Sequence, residues 1–171
     1  DNGDLNEAVS HYGRAIYLSK KYNRLKNEAK TTVNLIGTFV KLEDASYKNR
    51  FYNLISRIKT PKLDSFYNSD IELNAKKELN LGGYFDVLED FSNAKKHYSE
   101  SLILSKNTSD SLNTFKSLIN IAIVNRRIGD YDKAVESARI SQKRGITEEN
   151  YIYAIRDISL VNGLDKLTVK I

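Results

Sequence analysis

The 171-residue sequence contains no cysteine, no methionine and no tryptophan, and it has one proline and 8 glycines. Without cysteine there are no disulfides, no cysteine-ligated zinc and no thiol chemistry, while the compartment stays open between cytoplasm and periplasm. The missing methionine and the opening Asp1-Asn2-Gly3-Asp4 place the natural start elsewhere, so a piece of a longer protein is expected. A block of like charge is also absent. The 27 basic and 22 acidic residues give a formal +5 that is spread along the chain. With no basic strip interleaved with aromatics, direct nucleic-acid binding is not expected. No apolar run approaches the roughly 18 residues of a membrane span, and no segment near the start resembles a signal peptide.

Glycine and proline punctuate the chain so rarely that helices, rather than strands broken every few residues, fill the intervals. Leu5, Ala8, Val9, Tyr12, Ala15 and Ile16 step by three and four, as do Leu118, Ile121, Ala122 and Asn125. Each stripe requires a partner helix. Stop and start signals predict helices near 4–21, 23–42, 45–58, 69–87, 91–106, 109–128, 131–144 and 147–162, with another from Leu164. Ser69-Asp70-Ile71-Glu72 has the form of a capping box, and Gly129-Asp130 and Gly145 sit where one helix gives way to the next. The longest break is expected at Lys59 to Asn68, around Pro61, which cannot continue a helix interior. Turns this short make neighbouring helices antiparallel.

The segments also repeat. Gly3-Asp4-Leu5-Asn6-Glu7-Ala8, followed by Tyr12, aligns with Glu89-Asp90-Phe91-Ser92-Asn93-Ala94, followed by Tyr98. Both align with Gly129-Asp130-Tyr131-Asp132-Lys133-Ala134. The three alanines lie 86 and 40 residues apart, which leaves room for one degenerate copy between the first two. That copy falls near residue 50, where Asp44, Ala45, Tyr52, Ile55 and Ile58 keep the apolar spacing but Lys48 replaces the alanine. A further copy begins at Tyr151. Self-similarity at such a period signals a stack of repeats.

These residues resemble the tetratricopeptide repeat family, in which a first helix with Leu-Gly and an aromatic is followed by a Gly-Asp-Tyr turn and a second helix rich in small residues. Leu81-Gly82 with Phe85, then Asp90-Phe91, Ala94 and Tyr98, is similar to that pattern, as is Ile121-Ala122 with Gly129-Asp130-Tyr131 and Ala134. The units here run 40 to 46 residues where the family uses about 34. The resemblance implies an all-α fold, a right-handed α-α superhelix of antiparallel helix pairs, as one array with repeats near 1–22 (half), 23–62, 69–107, 109–145 and 147–171 (partial). It also implies a concave groove lined by first helices that binds a protein or peptide.

Three first helices carry lysine and asparagine four residues apart, as Lys30/Asn34, Lys76/Asn80 and Lys116/Asn120, on one helical face. Lys41 and Arg127 extend that face, along with Gly37, Gly83, Val87 and Ile123. Lysine and arginine supply charge-assisted bonds to carboxylates, and an asparagine amide can bond a peptide backbone, which makes an acidic peptide the expected partner. The competing reading has asparagine bonding neighbouring helices and lysine solvated. Glycine at 37 and 83 and isoleucine at 123, where carboxylate-clamping members of the family carry another asparagine, put recognition of a C-terminal carboxylate in doubt.

Other constellations read structurally. His11 and His97 are two repeats apart, too far to share a metal, so no metal or cofactor is expected. Gly82-Gly83 lacks the strand-then-helix setting of a phosphate loop and reads as close helix packing. Tyr12, Tyr52 and Tyr98 recur on the buried face of second helices, while Tyr84, Phe85, Tyr151 and Tyr153 could reach the groove or a neighbouring repeat. A nucleophile–base pair, metal set or phosphate loop is missing, so no enzyme is expected. A protein-binding scaffold is the first reading; a peptide- or ligand-sensing regulatory domain of a bacterial signalling protein is the second. If the ends are cut through repeats, amide exchange will be faster in the first and last helices than across 91–144. Uniform protection contradicts the fragment expectation.

Overall fold

The structure, a computed structural model, describes residues 2–142. The expected helices at 147–162 and beyond Leu164, with Gly145, Tyr151 and Tyr153, lie outside those residues. Among the described residues every regular element is helical. In chain order these are α1 (Asn2–Lys21), α2 (Leu25–Leu42), a 3-10 turn (Ala45–Tyr47), α3 (Lys48–Ile58), α4 (Pro61–Ser69), α5 (Ile71–Val87), α6 (Phe91–Asn107), α7 (Ser111–Arg127) and α8 (Tyr131–Gln142). No helix among them is long and apolar enough to cross a membrane.

The turns recur with one chemistry. Asn23, Glu89, Ser109 and Gly129 take the left-handed conformation, with φ of 53°, 58°, 58° and 82°. At each, the following amide bonds the carbonyl five residues back: Arg24 to Ser19, Asp90 to Phe85, Asp110 to Ser105 and Asp130 to Asn125, at 2.7–2.9 Å. This arrangement satisfies the last carbonyls of the helix that ends. The next residue then opens the new helix. Asp70, Asp90, Asp110 and Asp130 each accept a bond from the amide three residues on, namely Leu73, Asn93, Asn113 and Lys133. A capping aspartate stabilises a helix by about 1 kcal/mol. These four aspartates are spaced 20 residues apart, and α5, α6 and α7 are each 17 residues long. Successive helices therefore have matching lengths of about 25 Å.

The region near residue 50 departs from that spacing. Asp44 caps the 3-10 turn through Ser46, at 2.7 Å, and the next capping aspartate is Asp70, 26 residues later. The longer segment divides into α3 and α4. Pro61, expected to mark a break, instead starts α4 at its first turn, where its missing N–H leaves no bond unmade. Leu63 and Tyr67, four apart, turn into the core. The capping box is likewise displaced by one residue: Asp70 caps α5, while the Ser69 hydroxyl donates to the Phe66 carbonyl at 2.7 Å.

α2, α5 and α7 contact one another in order, and α1, α4, α6 and α8 pack against them. An aromatic core sits where α2, α3 and α5 meet: Phe51 lies 4.4 Å from Tyr84 and 5.3 Å from Phe85, and Phe39 lies 5.7 Å from Tyr84. Full burial of Phe39 or Phe51 stabilises by roughly 1.5–3 kcal/mol. Tyr52, expected inside, is instead 40% exposed, because the altered register of α3 turns Phe51 inward in its place. Between α5, α6 and α7 the packing is small and polar. The Ser101 hydroxyl donates to the Ala75 carbonyl at 2.9 Å, and the Ser117 hydroxyl donates to Ser101 at 3.0 Å.

Replacing Asp70 with alanine is expected to lower unfolding stability by about 1 kcal/mol, measured by urea denaturation. Ser69→Ala is expected to change it by less than about 0.5 kcal/mol. Equal losses would contradict the assignment of the cap to Asp70.

Candidate functional site

The lysine–asparagine face lies on the α2–α5–α7 row, and its two junctions differ. Between α2 and α5 polar groups of the face bond across the junction. Asn80 donates its amide to the Val33 carbonyl at 2.9 Å, and the Lys76 ammonium reaches Asn34 Oδ1 at 3.2 Å. Glycine allows this close approach. A Cβ at Gly37 would stand 2.8 Å from Asn80 Nδ2, and one at Gly83 would stand 2.9 Å from Val40 Cγ2. In α7 the residue matching Gly37 and Gly83 is Ile123, and the Lys116 and Asn120 side chains make no hydrogen bond among the described residues.

A cleft of about 790 Å³ opens at the junction of α5 and α7. It is bordered by Asn80, Lys116, Asn120 and Arg127, with Val87, Ile119 and Ile123 among its apolar walls. Toward the helix N-termini a second cleft, of about 380 Å³, brings Lys30, Asn34 and Lys76 together with Asp70, Glu72 and Asp110. Seven of the eight residues expected on the binding face thus border one of two neighbouring clefts. Lys41 is exposed and outside both.

Carboxylates share these clefts. Arg127 reaches back to Asp86 at 2.9 Å; burial raises the Asp86 carboxyl above its ordinary range, and Arg127 opposes that rise. Glu43 and Glu89 border the same cleft at the C-terminal ends of α2 and α5, whereas Lys116 and Arg126 stand on α7 without an ion-pair partner among the described residues. The cleft therefore has unpaired cations on its α7 wall and unpaired carboxylates at the ends of α2 and α5.

Beside the row lies a cluster that residue spacing did not reveal. The Lys77 ammonium sits 2.9 Å from Glu78 and 4.8 Å above the Tyr67 ring. His97 Nδ1 is 2.6 Å from the other Glu78 oxygen, and its ring stacks on Phe85 at 5.2 Å. The packing of α4 and α6 against α5 makes Lys77 and Glu78 internal. Tyr84 and Phe85 are internal too, away from any groove: the Tyr84 hydroxyl donates to the Asp44 carbonyl at 2.9 Å. His11 is exposed and 3.3 Å from Glu7. Among the described residues no group of three or more His, Asp or Glu could hold a metal ion.

The chain was compared with protein-family models, with curated proteins and with solved structures, and no match was found in any of the three.

Burial raises the Glu78 carboxyl, but the bond to His97 and the charge of Lys77 outweigh it and hold the group below its ordinary value of 4.5. Ionised Glu78 therefore contributes stability that is present above that value and is lost as pH falls through the lower folded one. The stability gap between the protein and its Glu78→Gln variant is expected to be full at pH 7 and to close on acidification below 4.5, followed by urea denaturation across pH. A gap independent of pH would contradict it.

Proposed function

We propose that the chain is a protein-interaction module of tetratricopeptide type, a right-handed superhelical stack whose first-helix face holds a segment of another protein. The observation that supports this reading is the cleft at the α5–α7 junction, where the Lys116 and Asn120 side chains have no bond among the described residues. A lysine ammonium and an asparagine amide at adjacent turns of one helix suit a peptide that offers a carboxylate and a backbone amide side by side. The matching groups across the α2–α5 junction are occupied by the protein itself, so recognition concentrates on α7. Lys116 and Arg126, unpaired on the α7 wall, suit a carboxylate carried by that segment.

The test is selection from a random 12-residue displayed peptide library, followed by affinity measurement on the selected peptides. A Lys116→Ala/Asn120→Ala variant is expected to bind them at least about tenfold more weakly, the loss typical of removing a charge-assisted and a neutral hydrogen bond together. Unchanged affinity, or a library that yields no binder, ends this reading.

A further inference from the structure

Three tyrosines are almost wholly buried: Tyr67 and Tyr84 at 0% exposure and Tyr98 at 3%. A buried tyrosine hydroxyl ordinarily finds a hydrogen-bond partner. Tyr67 donates to the Ala29 carbonyl at 3.0 Å and Tyr84 to the Asp44 carbonyl at 2.9 Å. The Tyr98 hydroxyl has no partner among the described residues. Nor is it sealed in the core. The side-chain atoms there that are both fully enclosed and unpartnered are Asn74 Oδ1 and Asn125 Oδ1, and Tyr98 borders the α5–α7 cleft.

The fold makes specific room for this side chain. A Cβ on Gly82 would stand 2.6 Å from the Tyr98 ring, so glycine there lets the ring pack directly on α5. Its surroundings there are Asp86 and Arg127, which already bond each other. Burial, the largest influence, and the charge of Asp86 push the phenol well above its ordinary range, against the opposing effect of Arg127, so the group stays a neutral donor at physiological pH.

We infer that Tyr98 is a ligand-binding residue, whose hydroxyl donates a hydrogen bond to a backbone carbonyl of an extended peptide lying in the α5–α7 cleft. The inference rests on the peptide-binding reading above and adds to it the floor of the site. An aliphatic side chain of the peptide packs against Val87 and Ile123, and a neighbouring carboxylate faces Lys116 and Arg126, the cations of the α7 wall that lack an internal partner. The peptide thus supplies the acceptor that the fold provides for Tyr67 and Tyr84 and withholds from Tyr98.

Library-selected peptides are titrated against the protein and three variants. Tyr98→Phe keeps the ring and its contact with Gly82, so it is expected to melt like the parent and to bind about three- to tenfold more weakly. Tyr84→Phe loses an internal bond, so it is expected to melt lower and to bind as the parent does. Ile123→Trp fills the cleft and is expected to abolish binding. Parent-like affinity in Tyr98→Phe, or a lowered melting temperature that reveals an internal partner for the hydroxyl, overturns the inference while leaving the groove reading intact. Undiminished binding by Ile123→Trp, or no peptide selected at all, overturns both.

Discussion

The three-residue turn is the constraint on which the rest of this structure depends. A left-handed residue ends one helix and the next residue, in most cases aspartate, caps the following one. The capping aspartate recurs every 20 residues from Asp70 to Asp130, preceded by a left-handed residue at Asp90, Asp110 and Asp130, so three successive helices have the same length. Equal lengths keep Asn80 and Asn120 at matching heights in α5 and α7, which makes a continuous face possible. Where the spacing stretches, between Asp44 and Asp70, the second helix of the pair breaks into α3 and α4 and the inward positions shift from Tyr52 to Phe51.

Side-chain volume then decides which junctions close. Gly37 and Gly83 bring α2 and α5 near enough for Asn80 to bond the Val33 carbonyl, so polar groups that could serve a ligand stabilise the fold instead. Ile123 holds no such gap open to a neighbouring side chain, and the α5–α7 junction keeps a cleft with unbonded Lys116, Asn120 and Tyr98. Similar residues at matching heights thus have two different fates. The reading in which asparagine bonds a neighbouring helix describes the α2–α5 junction, where Asn80 bonds the Val33 carbonyl, and does not describe Asn120.

The all-helical class was legible because a period near four is local and the chain carries so few breakers. Helix ends were legible to within a residue or two, both where Gly129-Asp130 announces them and where Glu89 and Ser109 occupy the left-handed position without being residue types that favour it. The evenly spaced aspartates were visible in the sequence, but their meaning depends on those hidden left-handed residues. Pro61 was misread because proline both ends and begins helices, and the deciding signal was Leu63 and Tyr67 beyond it. Seven of the eight face residues border a cleft because four-residue spacing fixes a helix face. Tyr98, Lys77, Glu78 and His97 escaped, since whether a tyrosine or a lysine is satisfied depends on the helix packed over it, which spacing along one helix does not encode.

The claim at the centre of this account is that α5 and α7 together form the face that holds a partner. Backbone amide shift mapping by NMR, with a library-selected peptide added to the labelled protein, tests it most directly. The account predicts perturbations concentrated at 79–87 and 115–127, on facing sides of the cleft. Perturbations confined to α6 and α8, with the α5 and α7 amides unmoved, would contradict it.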